Sequence, residues 1–178
     1  MEFFDVLDET GNKTGKIKDR EEVHRDGDWH KTVHIWIVND KDEVLLQKRS
    51  QNKDSYPNMW DISSAGHLTA GDDSLTGALR EIKEELGIDV KPSQFKLIGT
   101  RKTADRYTAS FINNEFSDIY LLRLSLNVKT LHLQKEEVSE VKYIPIDEFR
   151  NMIQTKDKTL LLHDDEFAML FKALGYQL

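Results

Sequence analysis

The chain has no cysteine among its 178 residues. That excludes a disulfide framework, a thiolate metal site and a cysteine nucleophile. It has no apolar run near the roughly 18 residues that a membrane-spanning helix needs, so no membrane partner is expected. The first residues, MEFFDVLDE, are acidic and lack a signal-peptide pattern; a soluble, cytoplasmic protein is the expectation. A basic surplus is missing too, since the formal net charge is −7. Nucleic-acid binders usually carry such a surplus, so a duplex partner is not expected. A small anionic substrate is compatible with the charge, because bound metals can supply positive charge locally. No internal repeat, low-complexity tract or linker interrupts the chain, and its length fits one domain over 1–178.

What the chain does have is an acidic helix. It lies in the stretch Gly66 to Ile88, GHLTAGDDSLTGALREIKEELGI. Leu75, Ala78, Leu79, Ile82 and Leu86 recur at helical spacing and form an apolar stripe. Glu81, Glu84 and Glu85 fall on a different face, because positions three and four apart are neighbours on a helix. Gly87 follows the last periodic residue, where helices usually stop. Like charges so placed repel by about 0.2–0.5 kcal/mol per pair. A divalent cation such as Mg2+, which prefers oxygen ligands, would turn that repulsion into binding. The competing reading is a solvated acidic face. Two features favour the cation. Gly77, one turn before Glu81, costs the helix about 1 kcal/mol relative to alanine, which points to a close approach to its backbone. The helix also follows a Gly-containing loop, Gly66 to Gly71, and helix N-termini favour anions. Both features suit a pyrophosphate substrate.

This stretch resembles the Nudix box, G-x5-E-x7-R-E-U-x-E-E-x-G-U, with U a bulky apolar residue. Here it reads Gly66, five residues, Asp72, seven residues, then Arg80-Glu81-Ile82-Lys83-Glu84-Glu85-Leu86-Gly87-Ile88. Asp72 alone departs, standing where the family has Glu. The resemblance implies an α/β fold, a Nudix-type α/β/α sandwich with a mixed β-sheet. It implies that Glu81, Glu84 and Glu85 hold Mg2+, with Mn2+ as the alternative, and that Gly66, Asp72, Arg80 and Gly87 support the box. In the family the first acid pairs with the Arg. Asp72 is one methylene shorter, and the adjacent Asp73 is the alternative partner or a helix cap.

Taken in order, Phe3 to Leu7 reads as a strand and Lys13 to Asp28 as a polar loop with a short turn or helix. Thr32 to Asn39 and Glu43 to Arg49 read as a β-hairpin, Ser50 to Asn58 as a loop and Trp60 to Ser64 as a strand. Beyond the box helix, Phe95 to Thr100 is a strand and Arg101 to Arg106 a basic loop. Tyr107 to Phe111 and Phe116 to Leu126 are strands separated by a turn that holds Glu115. Glu140 to Ile144 is a strand, followed by a helix with Asp147 as its cap. Asp164 to Leu174 is an amphipathic helix with Phe167, Leu170, Phe171 and Leu174 inward, ended by Gly175.

The N-terminal half also resembles type I isopentenyl-diphosphate isomerases, which share the Nudix fold. FFDVLDETGNKTG, two histidines before the first long strand, LLQKRS with YPNMW downstream, and Gly66-His67 carry the likeness. His24 and His30 match the isomerases' metal-binding histidines. The isomerases' E-x-E pair reads Asn113-Asn114-Glu115 here, so one acid is kept. Their catalytic cysteine position is Ala65. Alanine can neither give nor take a proton, and an unactivated Ser63 or Ser64 is a poor acid or base.

The expected function is therefore Mg2+-dependent hydrolysis of a diphosphate linkage in a nucleoside diphosphate derivative or related organic pyrophosphate. Glu81, Glu115, or Glu136 and Glu137 are the candidates for the base. His67, Arg49 and Arg101 are candidate substrate contacts, against the plainer readings of a structural hydrogen bond and ordinary surface charge. The alternatives are an isomerase-like enzyme and a catalytically silent nucleotide-binding module. A homodimer is a family-level expectation only.

Overall fold

A computed structural model describes residues 2–53 and 55–178. Asp54, inside the expected loop Ser50 to Asn58, lies outside the described residues. In chain order the elements are β1 (Phe3–Leu7), β2 (Lys13–Asp19), α1 (Arg20–Asp26), β3 (Trp29–Val38), β4 (Glu43–Arg49), β5 (Trp60–Asp61), β6 (Ser64–His67), α2 (Ser74–Leu86), β7 (Lys96–Arg106), β8 (Ile112–Arg123), β9 (Val138–Pro145), α3 (Ile146–Gln154) and α4 (Asp164–Leu174).

The spine is β3, WHKTVHIWIV, rich in the β-branched and aromatic residues that suit a strand covered on both faces. It pairs antiparallel with β6 and parallel with β8, in register from Trp29↔Asn114 to Val38↔Arg123. β7 pairs antiparallel with β8, and β4 pairs antiparallel with β9 and β5. One parallel pairing among antiparallel ones makes the sheet mixed.

Successive β3 side chains point to opposite faces. Val33, Ile35 and Ile37 pack with Ala78, Ile82 and Leu86 of α2. Trp36 and Val38 pack with Phe149 of α3 and with Phe167, Leu170 and Phe171 of α4. Each fully buried side chain of this kind stabilises the fold by about 1.5–3 kcal/mol. The result is the expected α/β/α layering. Among the described residues, no helix is long and apolar enough to cross a membrane.

Five local expectations are corrected. The polar segment from Lys13 contains a strand, β2, because it pairs along the edge of β1 although its side chains are exposed. Arg101 to Arg106 is not a loop but the second half of β7, paired with β8 as far as Arg106↔Ile112. Tyr107 to Phe111 is the intervening turn, and Glu115 sits inside β8 rather than before it. Trp60 to Ser64 divides between β5 and β6. Pro145 takes the cap position of α3, with Asp147 in its first turn. In each case backbone pairing or local geometry overrode side-chain polarity.

Candidate active site

The β3 face that carries Trp36 turns polar toward the strand's N-terminal end. There Thr32 and His34 are buried, opposite His67 and Ala65 of β6, and Thr32 Oγ1 donates to Ser117 Oγ of β8 at 2.7 Å. A cleft of ≈ 570 Å³ opens at this end, bounded also by α2 and by the segments around Tyr56 and Glu136. That size is within the range of small-molecule sites.

α2 supplies one wall. The side chain of Asp73 caps it by accepting from Thr76 N, and Gly87 ends it in the left-handed region, φ +71°. A Cβ on Gly87 would also collide with His132. The acidic face is not a solvated one: Glu81 and Glu85 are only 9% and 4% exposed, whereas the Glu84 side chain is 51% exposed. Ser64 Oγ and Ala65 N donate to Glu85 Oε2 at 2.5 and 3.1 Å. A Cβ on Gly66 would overlap the Glu81 carboxylate. Burial pushes Glu81 up to about 7, against Arg80 and with help from Glu84. It pushes Glu85 up to about 8, against the Ser64 bond and with help from Glu81. Gly77 has a different explanation from the expected one, since its close neighbour is the Leu68 side chain, 3.1 Å from an added Cβ.

Arg80 is held mainly by partners other than Asp72. It donates to Glu81 Oε1 at 2.6 Å and to the His67 carbonyl at 2.8 Å, while Asp72 stands 3.8 Å away, beyond hydrogen-bond reach. The shorter acid leaves the pairing loose.

Beside this wall gather His24, His30 and His67, whose ligand atoms lie within 4.8 Å of one another. Nδ1 of His24 bonds the Arg20 carbonyl at 2.7 Å, and Nδ1 of His30 bonds the Asp28 carbonyl at 3.0 Å. A carbonyl can only accept, so each Nδ1 carries a proton. All three Nε2 atoms are buried without a partner among the described residues. Glu115 Oε1 stands 3.5 Å from His67 Nε2 and 3.7 Å from His30 Nε2. Burial lowers His24, and lowers His67 to about 4 against the pull of Glu115. Burial alone would raise Glu115; His30 and His67 outweigh it and hold the carboxyl well below its usual range. Phe4 stacks on His67 and His30 and fixes their planes. Orphaned buried imidazoles beside a carboxylate are a donor set that fits a divalent metal.

Arg49 and Arg101, the expected phosphate contacts, both line the cleft but are tied down. Arg49 donates to the Ser55 carbonyl at 2.8 Å and to Asp61 Oδ2 at 3.2 Å. Arg101 Nη1 donates to His163 Nδ1 at 3.1 Å, and His163 Nε2 donates to Asp61 Oδ1 at 2.8 Å. Glu136 and Glu137 lie at the rim, with Glu137 ion-paired to Lys53. Tyr56 and Tyr107 meet edge to face at the mouth.

Two groups escaped the sequence reading. One is His67 as a partner of His24 and His30, for which a histidine count around the Gly-His pair was the available signal. The other is Glu166, fully buried and bonded to His34 Nδ1 and Trp36 Nε1, both at 2.8 Å. Its signal was an acid adjoining the apolar stripe of α4, facing the alternating His34 and Trp36.

Fold and cleft together define an α/β/α protein whose donor sets fit divalent cations. The NUDIX domain family profile matches residues 28–164, and the chain belongs to the Nudix hydrolase family. It is 47% identical over 176 residues to Nudix hydrolase 3 of Arabidopsis thaliana, covering 96% of this chain but only 23% of that protein. It is 40% identical to an uncharacterized Nudix hydrolase of Clostridium acetobutylicum, covering 87% and 75% of the two chains. Isopentenyl-diphosphate Delta-isomerase of Pectobacterium atrosepticum is 25% identical, covering 86% and 82%. A crystal structure of a Deinococcus radiodurans protein shares the fold, with a TM-score of 0.68 at 18% identity and coverage of 95% and 98%.

Proposed function

We propose that this chain is a divalent-cation-dependent hydrolase of a diphosphate linkage, acting on a nucleoside diphosphate derivative or a related organic pyrophosphate. The observation that carries the reading is the pair Glu81 and Glu85, two carboxyls buried side by side and displaced to about 7 and 8. Uncompensated buried acids are costly, and they cluster at functional sites. Glu81, Glu84 and Glu85 would hold Mg2+ or Mn2+, and the His24, His30, His67 and Glu115 set would hold a second cation. Such cations neutralise phosphoryl oxygens and lower the pKa of bound water.

The chain's own groups do the rest. Glu81, buried beside Gly66 and bonded by Arg80, accepts a proton from the attacking water. Glu115, held low between two imidazoles, serves as a ligand. Ser64 and Ala65 N orient Glu85, and Arg80 orients Glu81. Arg49 and Arg101 form the basic wall that receives the substrate's phosphates. The test is Mg2+- or Mn2+-dependent product release across nucleoside diphosphate derivatives, dinucleotide polyphosphates, coenzyme A and prenyl diphosphates. Activity should collapse in Glu84→Gln and Glu85→Gln; full activity in both would sink the assignment.

The imidazole cluster favours a second reading, isomerisation of isopentenyl diphosphate. Ala65 opposes it, because no proton-transferring side chain occupies that position. Interconversion with dimethylallyl diphosphate without phosphate release would establish the second reading over the first.

A further inference from the structure

The mechanism above leaves one buried ion pair in the cleft unused. His34 and Trp36, two residues apart on β3, both direct a ring N–H to the Glu166 carboxylate of α4. Glu166 is fully buried, so the carboxylate is satisfied by this strand and sealed from water. With Nδ1 committed to Glu166, His34 has one ring nitrogen left. Nε2 has no partner among the described residues, is not among the sealed atoms, and His34 lines the cleft beside Ala65. A buried carboxylate that holds Nδ1–H turns Nε2 outward and favours protonation of the ring.

The surroundings supply further positive charge. Arg101 of β7 approaches Glu166 at 3.9 Å, and its Nε is buried with no partner among the described residues. His163, at the start of α4, packs edge to face on His34 and receives the Arg101 bond. Asp61 of β5 and Glu115 of β8 are the remaining acids that act on His34. Asp61 is already bonded by Arg49 and His163, and Glu115 adjoins His30 and His67.

We propose that His34, locked by Glu166, together with Arg101 forms an anion subsite on the cleft floor, in which His34 Nε2–H donates to a phosphoryl oxygen of the bound diphosphate. This rests on the diphosphate reading above and adds His34, with its Glu166 support, which that reading does not use. His34 and Arg101 line the same cleft as Glu81, Glu84 and Glu85, so one bound diphosphate can meet both groups. Burial alone would depress the His34 pKa; the Glu166 charge and hydrogen bond outweigh it and raise it.

The test uses imidodiphosphate, a diphosphate mimic with a non-hydrolysable bridge, in the presence of Mg2+. Long-range 1H–15N spectra of the wild-type protein report the protonation of His34 Nε2 directly, without a substitution at a buried pair. The expected result is a protonated Nε2 at pH 7 whose signal moves on addition of the probe. His34→Gln should weaken probe binding about tenfold, the loss of one charge-assisted hydrogen bond. It should also flatten the fall in affinity as pH rises above neutral. An unprotonated Nε2, a signal indifferent to saturating probe, or a wild-type protein that does not bind the probe would each overturn the subsite. Probe binding with a His34 response but no hydrolysis across the substrate panel would refute the hydrolase reading and leave the subsite standing. Hydrolysis with an unresponsive His34 would do the reverse.

Discussion

Gly66 lies so close to the Glu81 carboxylate that a methyl group on its α-carbon would occupy the same space. The strand β6 and the helix α2 therefore meet through a glycine because one of the buried acids needs the room. Gly66→Ala should move Glu81 by a fraction of an ångström to an ångström while leaving the sheet intact. Displacements of that size can cost about 100-fold in rate. The expected outcome is a kcat loss of about that size with a folded protein by circular dichroism. Undiminished kcat would show that the Glu81 position is not critical.

The two raised carboxyls link stability to pH. Each binds a proton more tightly in the fold than in the unfolded chain, whose value is near 4.5. Their stabilising contribution is complete below that value and is lost as pH rises through about 7 for Glu81 and about 8 for Glu85. His24 and His67 act in the opposite sense, losing stability as pH falls below 6.5, so the carboxyl effect is cleanest above that point. His34, raised by Glu166, adds to the decline on the alkaline side. Metal-free protein should thus melt at lower temperature at about pH 8.5 than at about pH 6.5. Mg2+ should raise the melting temperature more at the higher pH, because binding requires the ionised acids. Glu85→Gln should reduce both effects. Equal Mg2+ shifts at the two pH values would contradict this account.

Much of this was legible in the sequence where chemistry repeats at a fixed spacing. The α2 stripe, the cap and stop of that helix, and the three glutamates follow from helical periodicity and turn chemistry alone. Burial of Glu81 and Glu85 did not, because it depends on β6 packing across the helix. Glu115 was read as a turn residue since Asn113-Asn114 looks like a turn, yet ten consecutive pairings with β3 hold it in a strand. Glu166 was hidden for a similar reason. Its partners are 130 and 132 residues away, and no local pattern reports on a buried ion pair formed at that separation.

The imidazole cluster makes a prediction about metal content. Three imidazoles whose buried Nε2 atoms lack a partner among the described residues, with one carboxylate beside them, should favour a transition ion over Mg2+. Protein dialysed against Mn2+ or Zn2+ and passed through a desalting column should retain one ion more than the protein in which His24 and His67 are both alanine. Single His67→Ala should weaken that ion by at least the ~10–100-fold that loss of an outer-shell partner costs. Elemental analysis and competition with a chelator measure both quantities. Equal metal content in wild type and the double variant would show that the cluster does not bind metal.

Asp72 and Arg80 separate the parts of the box that matter in this chain. At 3.8 Å and partly exposed, their ion pair is of the kind that contributes about 0–1 kcal/mol. Arg80 also bonds Glu81 and the carbonyl of His67, so it ties one proposed cation ligand from α2 to the backbone of another on β6. Asp72→Ala should therefore change kcat/KM by no more than about threefold and leave the melting temperature nearly unchanged. Arg80→Met keeps the aliphatic bulk but leaves both acceptors unpaired, at a cost of about 1–3 kcal/mol in stability. It should also reduce kcat/KM far more than Asp72→Ala. If the two variants proved equally damaging, Asp72 would have to reach Arg80 in solution more closely than 3.8 Å.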